Sequence, residues 1–305
     1  GARSGLGTWH RACLQSARLA RIIAVADTMS MGDAWGTEFS VCTLARSVAL
    51  QGGLLSVVGL ATEGQEQVAT GAETFSWKKL RLARRALQPL PPHTVVTFVD
   101  AHDVIMQRPL AALGHAYCEV QREFAALSGR QSWSWELERV VFAGEKNCYP
   151  WRYTAVEEVP EVEGTVDPVH VSFVAKRQDY LADRIFNVAG SRIRGRDFCL
   201  HYDRFFEGEH RFLNLGGYIG RAGTVLKLLD EVEVHMSQGV TFDQAAFSLA
   251  VLDRQDLATV DSHARIFFSL HGTIKQQGEG ANEFHQGCLC DASYVDVAGD
   301  ARPLK

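Results

Sequence analysis

Residues 95–105 read VVTFVDAHDVI, and this stretch decides the predicted fold. Five residues that favour β-strand run directly into an aspartate, and a second aspartate follows three positions later. Apolar residues resume immediately after the second acid. The pattern predicts a buried strand that ends at Asp100 and a turn that carries Asp103.

Two strand–helix pairs are predicted before this strand. The predicted strands are RIIAVA at 21–26 and GGLLSVVGL at 52–60, and the predicted helices are EFSVCTLARSVALQG at 38–52 and WKKLRLARRALQPL at 77–90. Alternating strands and helices are typical of a parallel sheet with crossover helices, whose ligands bind outside the carboxyl ends of the strands. An α/β fold is therefore expected, with a mainly parallel Rossmann-like sheet flanked by helices and Asp100 at its ligand-binding edge.

The second half of the chain is predicted to continue the same architecture as a single domain over residues 1–305. A strand is expected to end at Glu145, and residues 152–210 are expected to form an irregular insertion with one strand at 169–175. The remaining predicted elements are RFLNLGGYIG as a strand entering a glycine turn, TVLKLLDEVEVHM and TFDQAAFSLAVLD as helices, and ARIFFSL as a late strand.

Composition excludes several classes of protein. The 305 residues are 46% hydrophobic and 22% charged, as in ordinary globular proteins. A net charge of −5 argues against a nucleic-acid partner bound through its phosphates, and no apolar run approaches the ~18 residues of a membrane span. The seven cysteines form no CxxC pair. Their number allows one or two disulfides. The chain begins with Gly1 and is expected to be a segment of a longer protein.

Two carboxylates at this spacing point to a cation. In an extended strand the side chains of residues i and i+3 point to opposite faces, so Asp100 and Asp103 converge only if the chain turns between them. Converging carboxylates repel each other, and a divalent cation relieves the repulsion. Oxygen ligands favour Mg²⁺ or Mn²⁺, which shares its coordination shell with substrate phosphates. The alternative is that Asp100 caps the next element and Asp103 pairs with Arg108.

The chain contains, in this order, the segments WKKLRLARRAL, VVTFVDAHDVI, RVVFAGEKNCYPW, FLNLGGYIG, FDQAAF and DSHARIFFSLHG. The ordered set resembles the glycosyltransferase domain of the procollagen lysyl hydroxylases, over roughly residues 20–272. The resemblance implies a GT-A fold, a UDP-sugar donor, Mn²⁺ and a location in the lumen of the secretory pathway. The implied acceptor is a hydroxyl group of a protein or glycan, such as hydroxylysine or glycosyl-hydroxylysine of a collagen-like protein.

The resemblance also implies roles for individual residues at the nucleotide end of the site. Asp100 and Asp103 match the family's metal-binding acids, and Lys79 matches a lysine that contacts UDP. The positions that would cradle uridine are Val25, Ala26 and Asp27.

A second group of residues matches positions near the transferred sugar. Asn214, Gly216 and Gly217 match a segment that lies against the donor sugar. Glu145 matches the acid of the family's FSAE motif, and Cys148 matches the cysteine that follows it. Asp243 matches the end of an acidic run that faces the reacting sugar or the acceptor.

Several positions depart from the family's pattern. His102 stands where the family has tyrosine, Leu215 replaces a serine beside the donor, and Tyr149 replaces a tryptophan. The acidic run is reduced to Asp243, and the family's metal-ligating histidine has no match before the chain ends at DARPLK. These departures motivate a second hypothesis, a degenerate, non-catalytic module that binds UDP or another protein. A metal-dependent phosphoesterase is a third.

Simple structural explanations also exist for the candidate residues. Lys79 lies on a predicted basic helix face, and Glu145 can be a buried ion-pair partner. The glycines after Asn214 can form only a tight turn. The sequence from Thr241 to Gln244 fits a T-x-x-Q capping box, which leaves Asp243 in the first helical turn, where the helix dipole favours an acid.

Overall fold

The computed structural model describes residues 2–17, 20–25, 30–31, 39–59, 75–101, 104–127, 134–146, 148, 181, 183–188, 190–268 and 295–297. The predicted strand at 169–175 lies outside these residues, as do Ala26, Asp27, His102 and Asp103.

The strands of the described residues belong to one large sheet and two small hairpins. The large sheet has seven strands in the order β10–β6–β9–β5–β1–β4–β11. Its members are β1 (Arg21–Val25), β4 (Leu55–Val58), β5 (Val95–Asp100), β6 (Val140–Glu145), β9 (Phe212–Arg221), β10 (Ala258–Asp261) and β11 (Val295–Val297). The small hairpins are β2 (Ser30–Met31) with β3 (Phe39–Ser40), and β7 (Ile185–Val188) with β8 (Ser191–Arg194).

The large sheet is mixed and mainly parallel. Strand β9 is antiparallel to both of its neighbours, β5 and β6, whereas the other pairs are parallel. The amino-terminal half of β9 therefore lies at the same edge as the carboxyl ends of the parallel strands. This arrangement confirms the predicted α/β class with a mainly parallel sheet.

Helices cover both faces of the sheet. They are α1 (Ala2–Ala17), α2 (Val41–Leu50), α3 (Phe75–Leu87), α4 (Leu110–Leu127), α5 (Phe198–Tyr202), α6 (Ala222–Ser237) and α7 (Asp243–Asp253). Alternate residues of a strand point to opposite faces. Thus Val96 and Phe98 pack with α3, α6 and α7, whereas Val95 packs with α1 and α4. None of the described helices is long and apolar enough to cross a membrane.

A buried ion pair joins the face covered by α1 and α4 to the sheet. Glu138 accepts hydrogen bonds from Arg221 Nε at 2.6 Å and Nη2 at 2.8 Å, and both side chains are almost fully buried. Trp9 and Tyr117 also donate to Glu138. Burial, with a smaller contribution from Glu138, raises the pKa of Tyr117 well above its ordinary value, so the hydroxyl remains a donor.

Among the described residues, two disulfides link segments that are far apart in sequence. Cys13 of α1 is bonded to Cys118 of α4, and Cys148, just after β6, is bonded to Cys199 of α5. Each bond crosslinks a separate part of the domain, and a long crosslinked loop restricts the unfolded chain.

Two predictions about local structure were wrong, and two helices were missed. The late strand is β10, whereas residues 264–268 of the predicted strand ARIFFSL form an irregular turn around its end. Residues 185–202 contain the β7–β8 hairpin and α5 rather than irregular chain. Helices α1 and α4, which carry the disulfide cysteines Cys13 and Cys118, were not predicted.

The turn around the end of β10 has a specific cause. The buried carboxylate of Asp261 accepts hydrogen bonds from the backbone N–H groups of Arg265 at 3.0 Å, Ile266 at 2.6 Å and Phe267 at 3.0 Å. The polar backbone groups that would have joined a sheet are therefore satisfied by one side chain.

Candidate functional site

The carboxyl edge of the sheet holds an ion pair between two predicted site residues. Asp100 is the last residue of β5, and its Oδ1 accepts a 2.6 Å hydrogen bond from Nζ of Lys79 on α3. The side chain of Lys79 is 21% exposed and that of Asp100 is 35% exposed. Lys79 is therefore directed into the site and is not part of a solvated basic face.

A second carboxylate faces the same lysine. Asp243 is the first residue of α7, and its Oδ2 lies 4.0 Å from Nζ of Lys79. Its other oxygen accepts a 2.9 Å hydrogen bond from the backbone N–H of Gln244. Asp243 thus satisfies a donor at the start of its helix and, at the same time, places a negative charge next to Lys79.

Tyr218 lies beneath these charges. Its ring stacks on Phe98 with 4.8 Å between the ring centroids. Burial is the main cause that raises the pKa of Tyr218 above its ordinary value, and the charges of Asp100 and Asp243 raise it further. The phenol consequently remains protonated beside the two carboxylates.

The glycines of β9 form a bulge beside Asp100. Pairing with β6 jumps from Phe142↔Tyr218 to Ala143↔Asn214, so the three intervening residues of β9 have no partner on β6. A Cβ at Gly216 would lie 2.7 Å from Oδ1 of Asn214 and 3.5 Å from Oδ2 of Asp100. The absence of a side chain at Gly216 therefore lets the backbone approach the carboxylate.

The predicted glycine turn was wrong, because both glycines lie within strand β9 and neither has a positive φ. A Cβ at Gly217 would lie 2.8 Å from the ring of Phe267. Both glycines are therefore required by close approach, one toward Asn214 and Asp100, the other toward Phe267.

Glu145 lies behind the bulge and is not open to solvent. The residue is 2% exposed, and its two oxygens accept hydrogen bonds from Asn214 Nδ2 at 3.2 Å and Gln244 Nε2 at 2.8 Å. Burial raises the pKa of Glu145 to about 7, although both hydrogen bonds act in the opposite direction. In this arrangement Glu145 holds the residues that shape the site and does not face the solvent.

Gln244 connects the same network to α7. Its amide donates to Glu145 and to the carbonyl oxygen of Leu213 at 2.9 Å, and its Oε1 lies 3.4 Å from the backbone N of Leu215. The helix begins one residue later than a capping box requires, because Phe242 and not Thr241 is its N-cap. The capping-box interpretation of Gln244 was wrong, because its side chain bonds to β6 and β9.

A small cavity lies under the ion pair. Its volume is about 20 Å³, and its walls include Lys79, Leu215, Tyr218, Asp243 and Phe247. This space accommodates about one water molecule. Leu215 lines this cavity and belongs to the apolar core.

The structure brings most of the predicted site residues to one edge. Val25 ends β1 and pairs with Asp100, which is one strand away from Gly217. Asn214 and Glu145 form the layer behind them. The predicted residues Ala26, Asp27 and Asp103 lie outside the described residues.

The acids near Lys79 are the described residues that could bind the predicted metal ion. Among the residues that the structure describes, no group of three or more His, Cys, Asp or Glu side chains is arranged to hold a metal ion. Asp100 and Asp243 supply two carboxylates on either side of one ammonium group. An ion bound by few protein ligands and by substrate phosphates is compatible with such a pair.

Two contributors to the site were missed in the sequence. Tyr218 follows the predicted glycine segment directly, and its position near the two carboxylates depends on β5 and α7 as well as on β9. Phe267 packs on Gly217 because Asp261 bends the chain after β10. No pattern in either segment indicates these contacts.

Neither a scan against protein-family models nor a search of curated proteins finds a match to this chain.

Proposed function

We propose that the chain is a metal-dependent glycosyltransferase of the GT-A type, which moves a hexose from a UDP-sugar to a hydroxyl acceptor. The observation that carries the proposal is the convergence of Asp100, Asp243 and Lys79, from three separate elements, beside the bulge at Gly216. The edge formed by the carboxyl ends of parallel strands is where α/β folds bind their ligands.

The donor set suits a small divalent cation. Asp100 and the second predicted ligand, Asp103, would offer oxygen ligands only, which favours Mg²⁺ or Mn²⁺ over zinc. With two carboxylates from the protein, the remaining positions are open to phosphate oxygens and water. Such an ion acts as a Lewis acid that offsets the charge developing on the leaving diphosphate.

The protein's own residues would supply the remaining functions. Lys79 provides a positive charge for the diphosphate, whose negative charge grows as the glycosidic bond breaks. The backbone at Gly216 allows the donor to approach closely. Asp243 orients the acceptor hydroxyl or accepts its proton. Glu145 positions this surface by holding Asn214 and Gln244.

The two disulfides fit the location that the resemblance implies. Disulfides persist mainly in oxidising compartments such as the secretory lumen. Collagen-like acceptors are part of the proposal through the resemblance alone.

The test is a screen of UDP-sugars with Mn²⁺ that measures released UDP. One UDP-hexose should be turned over, and Asp100→Asn should reduce turnover at least a hundredfold, because it removes a charge and preserves the shape of the side chain. The matched control is Asp230→Asn, since Asp230 is a largely exposed acid on α6 that pairs with Arg84. Turnover in Asp100→Asn equal to that of Asp230→Asn would exclude the proposed metal role.

One observation favours the second candidate, a non-catalytic UDP-binding module. The ammonium of Lys79 is bound directly to Asp100, the carboxylate that the metal requires. Calorimetry with UDP and Mn²⁺ separates the two candidates when combined with the turnover screen. Binding of UDP without turnover of any UDP-hexose supports the module, whereas turnover supports the transferase.

A further inference from the structure

The Lys79 ammonium lies close to the carboxylates of both Asp100 and Asp243. It lies 2.6 Å from Oδ1 of Asp100 and 4.0 Å from Oδ2 of Asp243. The three side chains are each partly shielded from solvent, at 21%, 35% and 16% exposure for Lys79, Asp100 and Asp243. The lysine therefore neutralises much of the repulsion between the two acids without any bound ligand.

We propose that Lys79 takes the place of the divalent cation on Asp100 when no ligand is bound, and that a diphosphate draws the ammonium away so that Asp100 can bind the metal. This inference rests on the proposed function and concerns the order and coupling of ligand binding at the same site. It makes Lys79 a residue that links the metal and the nucleotide thermodynamically.

The argument for competition is electrostatic. Mg²⁺ binds carboxylate oxygens at about 2.0–2.1 Å. An ammonium at 2.6 Å from the same Asp100 carboxylate would then face the metal across a few ångströms, where like charges repel strongly in a partly shielded site. The metal and the ammonium therefore compete for Asp100.

The argument that the Lys79 ammonium can move is geometric. Lysine carries its charge on a flexible four-carbon stem, so the ammonium can move while α3 stays in place. A diphosphate next to the metal offers it a new negative partner. The nucleotide should therefore raise the affinity for the metal, and the metal should raise the affinity for the nucleotide by the same factor.

The decisive measurement is Mn²⁺ binding, followed by the electron paramagnetic resonance signal of free Mn²⁺, with and without UDP. Lys79→Met removes the charge and keeps an unbranched apolar stem. It should bind Mn²⁺ without UDP at least about fivefold more tightly than the wild type, because Asp100 is no longer occupied. UDP should then enhance Mn²⁺ affinity less in this variant than in the wild type.

Lys78→Met is the matched control. Lys78 is the neighbouring residue on α3, so the substitution changes the net charge equally without touching Asp100. Its Mn²⁺ affinity should equal that of the wild type. Lys79→Gln serves as a second neutral variant if Lys79→Met does not melt cooperatively, and Lys79→Arg should retain the wild-type behaviour.

The possible results separate this inference from the proposed function. If the wild type binds Mn²⁺ with UDP but the neutral variants gain no Mn²⁺ affinity in its absence, the placeholder role is wrong and the proposed function stands. An equal gain in Lys78→Met would likewise reject it, because the effect would come from net charge. A wild type that binds neither Mn²⁺ nor UDP would reject both.

Discussion

Oε1 of Glu145 accepts a hydrogen bond from Nε2 of Gln244 at 2.8 Å, across 99 positions of sequence. This contact joins the end of β6 to the start of α7, the helix whose first residue is Asp243. The other oxygen of Glu145 holds Asn214, which in turn accepts from the N–H of Gly216 at 2.7 Å. The geometry of the candidate site therefore depends on one buried acid.

The first prediction concerns pH and stability. In the unfolded chain Glu145 loses its proton near its ordinary pKa of 4.5, whereas in the folded protein its pKa is about 7. Between these values the folded state binds more protons, so the free energy of unfolding should fall as pH rises from 4.5 to 7, by up to roughly 3 kcal/mol. The contribution is fully present below pH 4.5.

Urea unfolding from pH 4.5 to 7.5 measures this effect, with Glu145→Gln as the reference that cannot titrate. The variant should be less stable overall, because its amide nitrogen replaces one of the two accepting oxygens and faces the donor of Asn214 or of Gln244. The informative quantity is the difference between the two pH profiles. Parallel profiles would show that Glu145 is already ionised in the folded protein at low pH.

The second prediction concerns the buried ion pair. Glu138→Ala should reduce the free energy of unfolding by about 3–5 kcal/mol, because it leaves the buried guanidinium of Arg221 uncompensated. The control is Glu123→Ala, which removes an exposed partner of Arg265 and should cost less than about 1 kcal/mol. If chemical denaturation showed the same loss of unfolding free energy in both variants, burial would not make the Glu138–Arg221 pair more important than the exposed pair.

The third prediction concerns the turn after β10. Asp261→Asn should destabilise the protein by about 1–3 kcal/mol, because an amide nitrogen cannot accept from the backbone N–H groups that the carboxylate holds. Asp256→Asn, at an acid that is mostly exposed, should cost less than about 1 kcal/mol. Thermal denaturation of both variants tests the difference, and similar losses would contradict it.

The fourth prediction separates the site from the fold along one strand. Gly216→Ala places a methyl group 2.7 Å from Oδ1 of Asn214. This contact should break the hydrogen bond that the backbone N–H of Gly216 donates to the same oxygen, and binding of UDP with Mn²⁺ should weaken at least about tenfold. Gly220→Ala, at the far end of β9, places its methyl 3.0 Å from Val140 and should lower stability without changing UDP affinity.

Calorimetry with UDP and Mn²⁺, together with thermal denaturation, distinguishes these two effects. A loss of UDP affinity in Gly220→Ala as large as that in Gly216→Ala would indicate that the effect is a general loss of folding. Retained affinity in Gly216→Ala would show that the bulge does not form the nucleotide surface.

Much of the sheet could be predicted from local pattern. The apolar runs that became β1, β4, β5 and β6 are short, rich in β-branched residues and separated by amphipathic segments, so each run favours its strand wherever it lies. The positions of Asp100 and Glu145 at strand ends follow from the same pattern. Helix α1 and the β7–β8 hairpin were missed because their apolar positions are interrupted by polar residues, and their burial depends on distant partners.

The sequence by itself determined that the chain builds an α/β sheet whose carboxyl edge carries acids, because periodicity and strand ends are local properties of the chain. Only the tertiary structure decided that β9 runs antiparallel between β5 and β6, that Gln244 bonds to Glu145 instead of capping its helix, and that Lys79 sits between Asp100 and Asp243. A polar side chain can bond to local or to distant groups, and tertiary packing determines which of these groups lie within reach. The packing in turn depends on the whole core.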